Sequence, residues 1–371
     1  MAGSTVRILV VGAGIAGLAV TRALRLKGFR PEVVEQLPAS TVPGAGIFLP
    51  GNAARALREL GLDAPLRPLG DVISTQRFLD VRGRQLCAVD LGKLWDGVGE
   101  SRALPRADLH RVLLTGAGGD VRHRTGVSGL EVGDETTKVA FADGSHAEYD
   151  LVIGADGRRS AVRAMSALGG AARPVGQIVY RSVVTGGPEV TAWTGVLGRR
   201  AGFVVMPMGN GRLYCYADEA LPPDGALPPD PVARLREVFG GFAGPVPPVL
   251  EALETVQVAA VDEVELGCWS RGGVVLVGDA AHATAPTLSQ GAAMALEDAL
   301  VLADALRRSG TVRGALAAYE NRRRPRTKWV LDRTRDRDRT RDVPPPLRDP
   351  LLRGRGARIF RDHYRLLVDP V

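Results

Sequence analysis

Gly12-Ala13-Gly14-Ile15-Ala16-Gly17 is a G-x-G-x-x-G, and Glu35 follows 18 positions after its last glycine. Each glycine has a mechanical use. Gly12 permits a tight turn, Gly14 lets the backbone approach a pyrophosphate, and Gly17 lets a helix pack closely on a strand. The N–H groups that open this helix, at Gly14, Ile15 and Ala16, and its dipole would face the phosphates. A carboxylate at Glu35 can accept both hydroxyls of an adenosine ribose and disfavours a 2′-phosphate, so FAD or NAD(H) is expected over NADP(H). Two more acids stand in glycine turns: Gly154-Ala155-Asp156-Gly157 and Gly278-Asp279-Ala280-Ala281-His282. Asp279 has no cationic neighbour in sequence, which suits an acceptor for a ligand hydroxyl; a satisfied helix cap is the other reading. Arg106 stands at a predicted helix start, where a cation opposes the dipole. A nearby anion, gripped by the two-pronged guanidinium, would account for it.

The elements that must position these residues are legible. Val6–Val11 is a β-branched run with the look of a buried strand. Leu18, Ala19, Ala23, Leu24 and Leu26 have helical spacing, Gly28 stops the helix, and Pro31–Glu35 is a second strand. Val42–Ile47 is a glycine-rich loop. Asn52 is the expected N-cap of a helix through Leu60, closed by Gly61. Arg77–Val81 and Arg84–Ala88 form a hairpin, as do Thr137–Phe141 and His146–Tyr149, and Arg106–Thr115 is a helix. Leu151–Ile153 and Val274–Val277 are buried strands that end in the two acidic turns. Such strand ends are where α/β sheets bind ligands. Between them, Ile178–Thr185, Val190–Leu197, Ala201–Met206, Arg212–Ala217 and Val256–Val261 read as an antiparallel sheet of their own. The helix Pro231–Phe239 sits among these strands. Its aromatics Tyr180, Trp193, Phe203, Tyr214 and Tyr216 are expected mainly in the core. A long amphipathic helix follows Gln290-Gly291-Ala292, and its anion-friendly start is the second in the chain.

Composition narrows the field. The chain has 371 residues, 45% hydrophobic and 24% charged, as in an ordinary globular protein. No apolar stretch approaches the ~18 residues that span a bilayer, and the N-terminus lacks a signal-peptide layout. Three scattered cysteines fit a reducing compartment, so the cytoplasm is expected. The five histidines show no metal spacing. From Arg322 to Asp342, ten Lys/Arg stand against four Asp in a sign-alternating run, which reads as a solvated helix. No nucleic-acid-binding module accompanies it.

The three glycine–acid motifs in this order resemble the FAD-dependent aromatic hydroxylases. These are the single-component flavoprotein monooxygenases related to p-hydroxybenzoate and salicylate hydroxylases. Gly44-Ala45-Gly46-Ile47 before Asn52, Arg106-Ala107-Asp108-Leu109 and Pro286 add to the likeness, which covers about residues 5–330. It implies an α/β, Rossmann-like FAD-binding domain (1–72, 98–173 and 263–325). An inserted antiparallel-sheet substrate domain (73–97 and 174–262) and a C-terminal helical tail (326–371) complete the chain. By this similarity FAD lies extended: Glu35 takes the adenosine ribose, and Arg106 the phosphate or ribityl region. Asp279 holds the ribityl and pyrophosphate portion. Gly291 and Ala292 face the pyrimidine side of the flavin, Gly46 and Gln290 are further cofactor-binding residues, and the Asp156 turn serves both FAD and pyridine nucleotide. Ser289 and Gln36 depart from the usual pattern, which has glycine and arginine there.

The resemblance further implies NAD(P)H as transient reductant, O₂, a flavin C4a-hydroperoxide, and hydroxylation or epoxidation of an aromatic or polycyclic small molecule. Tyr214 and Arg181, on the inserted sheet, are the candidate catalytic residues, by placement and general acid–base logic. The other classes considered lack their signatures. An amine-oxidase-like enzyme would carry Gly-Gly-Arg after the ribose acid, and a halogenase a Trp-x-Trp-x-Ile-Pro. A non-catalytic FAD-fold protein is separated by whether it holds flavin.

Overall fold

The computed structural model describes residues 6–39, 45–222 and 225–371. Val42–Gly44, part of the expected glycine-rich loop, lie outside the described residues.

The strand Ile8–Val11 is buried throughout and sits inside a mainly parallel sheet. The strand order is Ser270–Arg271, Val274–Leu276, Leu151–Gly154, Ile8–Val11, Glu32–Glu35 and Arg122–His123. Strands covered on both faces read as continuous apolar runs, which is why Ile8–Val11, Leu151–Gly154 and Val274–Leu276 are legible in the sequence, whereas the short edge strands Ser270–Arg271 and Arg122–His123 are not. The register sets Val11 beside Gly154, and Gly154 beside Leu276. Three strand ends therefore stand level, and the three glycine–acid turns that leave them meet at one edge of the sheet. The helices Ile15–Leu26 and Gly291–Arg308 pack on each other over this sheet.

The second sheet runs in the order Gln257–Glu263, Arg173–Thr185, Arg212–Ala220, Ala201–Pro207, Trp193–Leu197, Thr75–Asp80 and Gln85–Asp90. Its pairs are antiparallel except Trp193–Leu197 with Thr75–Asp80. Side chains alternate between its faces. Tyr180, Phe203, Val205 and Cys215 face a core closed by the helices Pro231–Phe239 and Val246–Glu251. Arg181, Met206, Tyr214 and Tyr216 face the other way, toward the nucleotide-fold sheet. All five aromatics pack in the core as expected, and Trp193, Phe203, Tyr214 and Tyr216 also line a cavity.

Two expectations need correction. Asn52 is not an N-cap. The helix Gly51–Glu59 starts after Pro50, and Asn52 is wholly buried in its first turn. Its amide donates to Gln290 Oε1 (3.0 Å) and Glu297 Oε1 (3.1 Å), because this helix start is packed against the long helix rather than against water. The tail is not simply solvated. Its alternating charges do pair locally, as Arg333–Asp336 and Arg339–Asp336. Yet the helix Val312–Arg339 runs unbroken through Pro325, across the expected domain boundary, and buries Arg323, Arg326, Val330 and Thr334. The next helix, Pro345–Asp362, packs on Gln85–Asp90 so closely that a Cβ on Gly356 would lie 2.6 Å from Cys87 Sγ.

Candidate active site

The glycine turn is built as its spacing requires. Gly12 has φ +108°, and a Cβ there would meet Ala155 O at 2.5 Å; one on Gly17 would meet Gly12 O at 1.8 Å. A Cβ on Gly14, the N-cap of the first helix, would meet no protein atom within 4 Å. The space before Gly14 is therefore open, while the other two glycines are consumed by packing. Glu35 is held at the turn by backbone donors: Ala13 N to Oε2 and Leu37 N to Oε1, each 2.9 Å. His110 Nε2 pins Ala13 O at 2.9 Å from the far side.

A single cavity of about 560 Å³ runs from this turn to the tail. Gly14, Ile15, Ala16, Gly46, Arg106, Asp279, Gly291 and Ala292 line it together with Arg181 and Tyr214. Gly12 and Glu35 are not among its lining residues; Gly12 packs beneath the turn, and Glu35 stands at the side of it. Two predicted residues turn away. Asp156 spends its carboxylate on Ser160 Oγ (2.5 Å) and Val162 N (3.0 Å), capping the short helix Ala161–Met165, so its turn reaches the cavity through Ala155, Gly157 and Arg158. Gln290 is buried, bonded to Asn52. What it contributes is its place as N-cap of the long helix.

Asp279 is exposed to the cavity and, among the described residues, accepts no hydrogen bond. It lies by the start of the long helix, where a Cβ on Gly291 would be 3.7 Å from its Oδ1. Arg106 opens onto the same space with protein crowded around it. Desolvation lowers its pKa, and Asp279 opposes that shift. Tyr214 lies against Gly46, whose Cβ would sit 2.4 Å from the ring. Burial raises the Tyr214 pKa, while Arg181 and Arg106 work against it. Ser289 adopts φ +54° and ψ 32°, a left-handed conformation, and caps the short turn Pro286–Leu288 by donating its N–H to Pro286 O at 2.8 Å.

Behind Asp279 is a buried ionic network that sequence reasoning missed. Asp298 accepts from Gly278 N (2.9 Å), His282 Nε2 (2.6 Å) and Arg323 Nε (2.7 Å). Glu297 takes Arg323 and Arg326 at 2.7 and 2.8 Å. Burial alone would raise the Asp298 pKa. His282, Arg323 and the Gly278 N–H outweigh it and bring it down to about 2. A signal existed: Glu297 and Asp298 interrupt the apolar stripe of a long helix, and buried acids require partners. The tail's cavity residues, Arg337, Phe360 and His363 among them, had no motif to announce them.

The arrangement fits an extended dinucleotide with a flavin. Gly14 leaves room for a diphosphate at a helix start. Glu35 offers free lone pairs beside the turn, the bare Asp279 awaits hydroxyl donors, and the long helix points its N-terminal N–H groups into the cavity. Comparison with known proteins agrees. The FAD binding domain family matches residues 5–334. The chain is 36% identical to a 3-amino-4-hydroxybenzoate 2-monooxygenase of Streptomyces platensis, over 89% of this chain and 87% of that one. It is 32% identical to an FAD-dependent urate hydroxylase of Mycolicibacterium vanbaalenii, with the same coverage. Klebsiella pneumoniae HpxO, solved with FAD and uric acid, superposes with a TM-score of 0.84 at 27% identity, over 98% of this chain and 95% of that one. The chain belongs to the FAD-dependent aromatic monooxygenases, the flavoprotein hydroxylases built on this FAD binding domain.

Proposed function

We propose that this monooxygenase uses NAD(P)H and O₂ to hydroxylate, or epoxidise, an aromatic or polycyclic small molecule held under the second sheet. The observation that carries the reading is the cavity itself. One end has the nucleotide cradle and Asp279; the other is walled by Trp193, Met206, Tyr214 and Phe360. Bound FAD would supply the oxygen chemistry. The chain's own residues do the rest. Gly14, Glu35, Arg106 and Asp279 hold the cofactor, and Gly291 and Ala292 favour negative charge on its ring through the helix start, by on the order of 1 kcal/mol. The apolar wall excludes water. Tyr214, with Arg181 beside it, orients the substrate and handles a proton on the phenol oxygen.

Residues 1–72, 98–173 and 263–325 serve the cofactor, and 73–97 and 174–262 the substrate. The relatives act on urate and aminohydroxybenzoate, planar and electron-rich rings, which supports an aromatic substrate here. No helix of the described residues is long and apolar enough to cross a membrane, and the cysteines are free, which supports a cytoplasmic enzyme. The test is NAD(P)H oxidation by the flavin-loaded protein across phenolic and heteroaromatic compounds. A stimulating compound that gains one oxygen by mass is the expected result. A protein that retains no flavin, or oxidises NAD(P)H without oxygenating any compound, overturns the reading.

A further inference from the structure

The tail helix Val312–Arg339 and the residues after it carry a run of arginines. Of these, Arg337, Arg341 and Arg348 line the cavity, and their partners single one out. Arg333 and Arg339 pair with Asp336, Arg335 with Glu263 and Glu265, Arg341 with Asp218, and Arg348 with Asp349. Arg337 has no carboxylate and no side-chain hydrogen bond among the described residues. Its Nη1 is buried without a partner. Instead its guanidinium lies over the rings of Phe360 (4.5 Å) and Phe78 (5.4 Å), which stack on each other at 4.0 Å. Stacking occupies the face of the guanidinium and leaves its in-plane donors for another group. Arg337 lines the cavity that also holds Tyr214. Beside it, His363 has a buried Nδ1 without a partner. A half-buried, unpaired cation on a cavity wall is satisfied by an anionic oxygen from the occupant.

The register gives the scale. Phe78 pairs with Gly195, on the face of the sheet that Trp193 and Leu197 present to the cavity. From the strand of Tyr214 to that of Phe78 the sheet order counts three steps. At ~4.8 Å per step that is about 14 Å, which favours more than one ring between the two ends.

We infer that Arg337 is a specificity-determining residue that receives a carboxylate carried by the substrate at the end remote from the flavin. The inference rests on the reading that the cavity takes an aromatic substrate. It adds the acid, the residue that reads it, and an extended ring system.

The test titrates the FAD-loaded protein with 6-hydroxy-2-naphthoate, 6-hydroxy-2-naphthamide and 4-hydroxybenzoate, following perturbation of the flavin's visible spectrum. The naphthoate is expected to bind about tenfold tighter than the amide and than the single-ring acid. In Arg337→Gln the preference for acid over amide disappears while amide binding is kept, and Arg337→Lys retains part of the preference. Arg337→Met, which keeps an apolar stem on Phe78 and Phe360, replaces the Gln variant if that variant loses flavin. Equal binding of acid and amide by the unaltered protein, or a preference that survives removal of the charge, overturns the inference alone. No spectral change with any of the three compounds overturns the aromatic-substrate reading, and this inference with it.

Discussion

Arg323 Nε lies 2.7 Å from Asp298 Oδ1, and both side chains are fully buried. The other Asp298 oxygen holds Gly278 N and His282, so an arginine of the helix Val312–Arg339 fixes the turn that presents Asp279 to the cofactor cavity. Removing one member of a buried pair strands the other. Arg323→Gln is expected to cost about 3–5 kcal/mol in urea unfolding of the FAD-free protein. It should also weaken FAD binding, read by flavin fluorescence on titration.

The glycines of the first turn separate folding from binding. Gly17→Ala places a methyl 1.8 Å from Gly12 O and should destabilise the protein by about 3 kcal/mol or more. Gly14→Ala meets no protein atom. Its unfolding midpoint without FAD should stay near that of the unaltered protein, while FAD affinity falls by about tenfold or more.

These positions also show what the sequence can express. Gly12, Gly14 and Glu35 announce themselves because a tight turn, an open approach and a ribose acceptor each permit few residue types. The acidic turns at Asp156 and Asp279 look alike in sequence, yet one carboxylate caps a helix and the other stands bare. Only the register of three strand ends, and the direction of each loop, decides which. Asn52 misleads for a related reason: a polar residue at a helix start reads as a cap until the neighbouring helix is known. The Arg337 site joins the strand Thr75–Asp80 to a tail over 250 residues later, and such a long-range pairing leaves no local spacing to read.

Ser289 holds φ +54°, and only its backbone N–H, not its hydroxyl, makes a hydrogen bond among the described residues. Relieving a left-handed non-glycine residue is worth up to about 1 kcal/mol, reduced by the extra freedom glycine has when unfolded. Ser289→Gly should therefore raise the urea midpoint slightly. A lowered midpoint would mean the hydroxyl is held in place by something it contacts.

His363 has its pKa lowered to about 4 by burial and by the Arg337 and Arg333 guanidiniums. The unfolded imidazole, near 6.5, binds a proton that the folded one refuses. Its contribution is complete above about pH 6.5 and is lost as pH falls toward 4. Unfolding midpoints measured across this window should slope less in His363→Gln than in the unaltered protein. Asp298, held near 2, gives a second loss below about pH 4 that this substitution leaves in place.

Tyr214→Phe removes the phenol oxygen while keeping the ring that packs on Gly46. Turnover should fall by about a hundredfold with a smaller change in KM, and more reducing equivalents should escape as H₂O₂. Unchanged turnover and coupling would remove Tyr214 from the chemistry.

The tail is fastened at both ends by buried arginines. Arg323 grips Asp298 on one side, and on the other Arg55 and Arg326 hold the carbonyls of Leu367 and Asp369. Between these anchors the chain spans the cavity like a strap whose buckles are shared with the cofactor scaffold. Along the strap, Arg335, Arg341 and Arg348 are stitched to Glu263, Asp218 and the carbonyls of Leu197 and Gly198. One contiguous piece of sequence thus closes the far side of the cavity, and it hangs from the same buried acids that stand behind the cofactor cradle.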